Sequence, residues 1–156
     1  MANSFQAKLT FSASDASTRT SHVAHAQPTV TDADSRDLAI AIARAADDRK
    51  GADIVLLKVS DVSYLADYFV VVTGFSNVQV RAIARSIEEA VDTQCQRSPL
   101  RIEGQADGSW VLLDYGDVIA HVFMPKEREF YGLEAFWGHA EQVDFAPTHP
   151  NSNPSS

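Results

Sequence analysis

The chain carries a single cysteine, Cys95, among its 156 residues. One cysteine excludes an internal disulfide and any cysteine-based metal cluster. In a chain without a secretory signature it suits a reducing compartment, so a cytoplasmic location is expected. Cys95 falls on the apolar stripe of a predicted helix, where a thiol acts as a small hydrophobe rather than a nucleophile. Long apolar runs are missing too. None approaches the ~20 residues that span a bilayer, so the reading is of a soluble protein with no membrane anchor. Basic residues are few: 13 Lys and Arg against 21 Asp and Glu, for a net charge of −8. A binder of phosphate backbones would want a basic face, so no direct contact with DNA is expected. A basic protein partner suits the charge better, because complementary potentials steer encounter. Acidity also serves plain solubility, so charge alone does not decide the matter.

What the chain does have changes near residue 34. Residues 1–34 are rich in Ser, Thr and Ala, with Phe5, Leu9, Phe11, Val23 and Val30 as the larger apolar residues. Such a segment buries too little apolar surface to offset its ordering entropy and reads as a disordered extension. Its Ser-rich, acid-poor opening has some transit-peptide character, but Lys8 and Arg19 are too few basic residues for one. His22 and His25 belong to no credible metal set. Residues 145–156 read as a second disordered tail. The folded domain is expected over 35–144.

Within it, Asp34 or Ser35 caps a first helix whose Leu38, Ile42 and Ala45 share a face, and Gly51 stops it after Arg49–Lys50. IVLLKV (54–59) and YFVVVT (68–73) read as strands, the first largely buried and the second rich in aromatic and β-branched residues. Gly74 breaks the second strand. Ser76 with Gln79 matches a capping box, and Val80, Ile83, Ala84, Ile87 and Val91 then recur at helical spacing. Three short strands follow at 100–103, 110–115 and 118–124. Pro125 ends the last and opens a final helix over about 127–137. The order is helix, two strands, helix, three strands, helix. It predicts an α/β architecture with a mixed β-sheet of about five strands flanked by helices, because the closing strands lie too near one another for crossovers.

SWVLLDYGDVIAHVF, residues 109–123, is the most informative stretch. Gly116–Asp117 suits a two-residue hairpin turn, better type II′ than I′. Pairing Tyr115 with Val118 sets Leu113 opposite Ala120 and Val111 opposite Val122, an apolar face for the core. The other face then carries Trp110, Leu112, Asp114, Ile119, His121 and Phe123. Aromatic anchors mixed with an acid and a histidine suit a protein-binding patch. An enzyme reading competes with it. The strand-to-helix turn at Gly74–Ser76 and the later acids loosely resemble a small metal-dependent nucleotidyltransferase, with phosphate at the helix start and carboxylates on Mg²⁺. Two metal ligands on one strand must be two residues apart to share a face. Asp114 and Asp117 are three apart with a turn between them, and GFSNVQ offers no cation for phosphate. The expectation is therefore no catalytic residue, no metal and no cofactor. Single residues have plainer roles as well: a lone His121 suits a structural histidine, Trp110 and Trp137 suit a core, and Gly116 a turn. A non-catalytic adaptor for some other protein is the remaining alternative.

DYFVVVTGFSNVQVRAIARSIEE, EGQADGSWVLLDYGDVIAHVF and REFYGLEAFWG, in that order and spacing, resemble the Iojap family of ribosomal silencing factors from about Ser35 to Gly138. The resemblance implies a nucleotidyltransferase-like fold without catalysis. It also implies binding to the large ribosomal subunit through ribosomal protein L-fourteen, a block on joining of the small subunit, and repression of translation. Family members often form homodimers, and a hairpin face left wet points the same way. By resemblance, Trp110, Asp114, Tyr115, Asp117, His121, Arg128 and Tyr131 form the partner-binding set, with Leu133, Glu134 and Trp137 completing the last motif. Trp110 and Tyr115 are expected as apolar anchors, Asp114 and Asp117 as acids facing basic groups of the partner, and Arg128 and Tyr131 as support from the neighbouring helix. The long N-terminal extension and the tail after Gly138 depart from the family pattern.

Overall fold

The structure, a computed structural model, describes residues 30–145. Residues 1–29 and 146–156 lie outside the described residues, and with them His22, His25 and most of both expected disordered segments. Helix α1 covers Asp32–Asp48 and starts ahead of the expected cap at Asp34 or Ser35. Thr31 is the true cap. Its Oγ1 accepts the Asp34 N–H at 3.1 Å while the Asp34 carboxylate accepts the Thr31 N–H at 3.1 Å. Reciprocal bonding of this kind satisfies two otherwise orphaned donors and makes Asp34 the third residue of the helix rather than its cap.

Strands β1 (Ala52–Lys58) and β2 (Tyr68–Thr73) follow, then helix α2 (Asn77–Cys95). Ser76 caps α2, its hydroxyl accepting from Gln79 N at 3.0 Å, but Gln79 Oε1 takes the N–H of Phe75, one residue before the cap, at 2.7 Å. The remaining elements are β3 (Arg101–Glu103), β4 (Trp110–Asp114), β5 (Val118–Phe123), α3 (Pro125–Tyr131), α4 (Leu133–Phe136) and β6 (Glu141–Val143).

The strands form one mixed sheet in the order β3-β4-β5-β2-β1-β6. Its β2–β5 pair is parallel, and the other neighbours are antiparallel. The sheet therefore has six strands where the sequence pattern gave five. The addition, EQV at 141–143, has one apolar residue and no periodicity of its own; it forms because β1 offers a free edge, with Val143 set beside Leu56. The expected single helix over 127–137 is two. Gly132, at φ +56°, ends α3 in the left-handed conformation that L side chains resist, and the chain turns there into α4.

Helices α1 and α2 cover one face of the sheet. Leu38, Ile42, Ile83, Ile87 and Val91 pack there against Leu56, Val70, Val72, Val111, Leu113 and Val122. Each such aliphatic side chain contributes about 1.5–3 kcal/mol when fully buried. The opposite face holds a smaller cluster, Leu57, Val59, Ala66 and Phe69, with Val55, Ile119, Trp137 and Ala140 partly buried beside it. Central β2 is buried at every residue, whereas β4 alternates between buried and half-buried. That alternation is the period-two signature of a strand covered well on one side only.

Candidate partner-binding groove

The hairpin adopts the expected register. Val111 pairs with Val122 and Leu113 with Ala120, and the Tyr115 N–H donates to Val118 O at 2.9 Å across the turn. Gly116 takes φ +92°, the left-handed conformation a tight hairpin turn requires. Register and pleat together send Trp110, Leu112 and Asp114 of β4, and Ile119, His121 and Phe123 of β5, away from α1 and α2.

Helices α3 and α4 return across this second face. Tyr131 meets Trp110 with ring centroids 4.6 Å apart, and Trp137 meets Phe69 edge-on at 5.5 Å. Arg128 fixes the strap these helices form. Its guanidinium donates to Glu134 Oε1 at 2.5 Å and to Thr73 Oγ1 at 2.7 Å, tying α3 to α4 and to the end of β2. Between strap and hairpin lies an apolar groove of about 540 Å³, walled by Trp110, Leu112, Ile119, Leu133 and Trp137, with Leu65 and Phe136 at its lip. Arg101, Glu103 and Asp114 border it along the sheet edge. Tyr131, Leu65 and Phe136 are exposed at 50%, 70% and 74%, so much apolar surface at the groove stays in water.

His121 lies beneath Trp110. It is buried, with Phe69 edge-on to its ring at 5.4 Å and Phe123 stacked on it at 5.9 Å. The Trp110 indole N–H donates to His121 Nδ1 at 3.2 Å. Burial pushes the imidazole pKa down to about 4 against an opposing pull from Asp114, so the ring is neutral at physiological pH.

The structure revises several expected roles. Tyr115 is not a surface anchor. It is 2% exposed and packs in the core under the helices, where burial raises its phenol well above the ordinary range. His121 and Phe123 lie on the face the register gives them but are buried by the aromatics and the strap, so neither is an open contact. Asp117 does not face outward. Arg97 donates to both its carboxylate oxygens, at 2.6 and 3.1 Å, and the Ser35 hydroxyl donates to it at 2.7 Å. Burial alone would raise this carboxyl, but the Arg97 and Ser35 hydrogen bonds outweigh it and hold the group below the usual carboxylate range. Asp114 too has partners within the chain: it accepts from Gly116 N at 2.8 Å and from Arg101 Nε at 3.3 Å. The two aspartates thus engage opposite sides of the sheet. Among the described residues, no three His, Cys, Asp or Glu side chains are placed to hold a metal ion.

Sequence reasoning missed Arg97, Arg101, Leu65 and Phe136. Arg97 and Arg101 meet their acids across 20 and 13 residues of chain, and no local pattern announces such pairs. Leu65 and Phe136 were visible only as apolar residues at positions where a loop or a helix end needs none.

Comparison with known proteins agrees with this architecture. The model of a family described as "Ribosomal silencing factor during starvation" matches residues 32–156. The ribosomal silencing factor of Bacillus subtilis is 42% identical over 102 residues, covering 65% of this chain and 86% of that protein. The chloroplastic protein Iojap of Zea mays is 37% identical over 113 residues, covering 72% of this chain and 49% of the longer plant protein. A crystal structure of a Chromobacterium violaceum protein superposes with a TM-score of 0.64 at 34% identity, covering 78% of this chain and 98% of that one. The mixed α/β fold is shared with a solved structure. The chain belongs to the ribosomal silencing factor family.

Proposed function

We propose that this protein binds the large ribosomal subunit through ribosomal protein L-fourteen, blocks joining of the small subunit and so represses translation. The observation that carries the reading is the groove: an aromatic-walled apolar channel left open on a chain of net charge −8. Open apolar surface of this kind marks a protein interface, and acidity favours a basic partner protein over naked RNA. Trp110 and Tyr131 act as anchors, with Leu65 and Phe136 extending the apolar contact. Asp114 supplies acidic character at the edge, tempered by Arg101. Arg128 and His121 shape the surface from beneath, and Tyr115 and Asp117 hold the fold that presents it. The protein acts in the cytoplasm, the reducing compartment its lone cysteine suits.

In the absence of the ribosomal protein, the same surface joins two copies in a homodimer. Dimer and complex then compete, and dimerisation lowers the apparent affinity in proportion to the monomer it removes. Sedimentation with isolated subunits tests the central reading. The protein should travel with the large subunit and not the small, and equal binding to both, or to neither, would refute it. Light scattering over a concentration series, with and without the purified ribosomal protein, tests the dimer. A monomer at every concentration, or a dimer that stays intact while binding, would overturn that part.

A further inference from the structure

His121 is buried in the wall of an apolar groove, and its chemistry is set by one neighbour. An indole N–H can only donate, so His121 Nδ1, 3.2 Å from Trp110 Nε1, must be the acceptor. In a neutral imidazole that choice places the remaining proton on Nε2. The ring is held from other sides by Phe69 at 5.4 Å and Phe123 at 5.9 Å, so it cannot turn to offer its other nitrogen without repacking both. Trp110 is itself stacked on Phe123 at 4.8 Å and touched by Tyr131 at 4.6 Å. Stacking restrains the indole plane and the side-chain rotamer wells restrain its swing, and the His121 hydrogen bond adds a directional restraint that selects one position within that plane.

We propose that His121 is a positioning residue for partner binding: as the Nε2–H tautomer it accepts a hydrogen bond from the Trp110 indole N–H and fixes the indole in the in-plane position that shapes the groove. The inference rests on the proposed binding role of this groove, and goes beyond it by assigning a buried residue that need not touch the partner. An indole free to slide would have to be ordered at the moment of binding, and that ordering entropy would be subtracted from the affinity.

Two measurements on the full chain test this. Long-range ¹H–¹⁵N NMR on the free protein should show His121 with Nδ1 unprotonated and Nε2 protonated, and a Trp110 indole proton that exchanges slowly. Binding to isolated large subunits should then separate the variants. His121→Leu keeps an apolar filling but removes the acceptor; it should leave the unfolding midpoint close to wild type, quicken indole exchange, and weaken binding about tenfold, the loss worth one hydrogen bond. His121→Asn places an amide oxygen near the Nδ1 position and should restore both slow exchange and most of the affinity. A protonated Nδ1 in the wild type would overturn the assignment at once, even if the leucine variant fails to fold. Equal affinity of wild type and His121→Leu would overturn the positioning role. If wild type itself ignores the large subunit while the tautomer and indole protection are as stated, the binding proposal fails and the local geometry stands.

Discussion

The two faces of the sheet use the same strands for different ends. Toward α1 and α2, β4 presents Val111 and Leu113, both fully buried, and β5 presents Val118, Ala120 and Val122, buried as completely. Toward the strap, β4 presents Trp110, Leu112 and Asp114, all only half-buried, and neither α3 nor α4 has a single fully buried residue. One face is packed like a protein interior, where every removed methylene is felt. The other keeps aromatic and aliphatic surface accessible beside a groove. The difference lies in what covers each face as well as in the polar Asp114 and His121 that the groove side carries. Two helices of 17 and 19 residues seal one side, and a strap of 7 and 4 helical residues leaves the other partly open.

Breaking the comparison outright needs a pair of truncations. Ile87→Ala on the helix face should cost about 4 kcal/mol of unfolding free energy, whereas Leu112→Ala on the groove face should cost about 1 kcal/mol, because the half-open site exchanges its lost contacts with water rather than a sealed cavity. Urea denaturation of both variants checks this, and equal costs would mean that the groove face is as well packed as the core.

Acid sharpens the comparison on the groove face itself. The His121 pKa is about 4 in the folded protein against an ordinary 6.5. The unfolded chain therefore takes up this proton first, and between those two values it binds more protons than the folded chain. The contribution is complete above pH 6.5 and is lost as the pH falls toward 4, on the order of 3 kcal/mol in all. The stability of wild type minus that of His121→Asn, followed by denaturation from pH 7 to pH 4, should fall over that window. A flat difference would show that the histidine is not buried neutral. Asp117 adds its own term lower down: its folded carboxyl is held below the ordinary value, so its contribution is present above that value and disappears as the pH falls through the folded one.

The two aspartates offer the same contrast on a smaller scale. Arg97→Met strips the half-buried Asp117 of its ion pair and should cost about 2 kcal/mol, less than the full penalty for a wholly buried charge because Arg97 is itself partly exposed. Arg101→Met, whose side chain is 67% exposed beside Asp114, should change stability by no more than about 0.5 kcal/mol. Thermal unfolding of the two variants ranks them, and a reversed order would sink the division of labour. The smallest effect belongs to Tyr115→Phe. The Tyr115 hydroxyl is buried with no hydrogen-bond partner among the described residues. Its removal should leave large-subunit binding unchanged and stability equal or up to about 1 kcal/mol higher. A loss of binding without a loss of stability would return Tyr115 to the interface.

Much of this architecture is legible in the sequence. The strand YFVVVT, the stripe of α2 and the hairpin register all follow from period and turn chemistry, because local alternation already states which side chains must share a face. The candidate site was legible as a face and less so as a set of contacts. Period two put Trp110 and His121 together and already set Tyr115 on the core side with Val111 and Leu113, against the anchor role the family resemblance implied; it could not say that His121 and Phe123 would be roofed over.

Local sequence carried the order of the elements as far as β5, the pairing of β4 with β5 and the separation of an apolar from a mixed face, since each depends on neighbours a few residues apart; β6 and the division of the last helix at Gly132 had no such local signal. Which mixed-face residues stay open depends instead on packing between distant segments. The break at Gly132 folds the last helix into a strap, Arg128 pins that strap to Thr73 and Glu134, and Arg97 crosses 20 residues of chain to neutralise Asp117. Exposure and charge pairing are properties of what arrives from elsewhere in the chain, and no local period encodes an arrival.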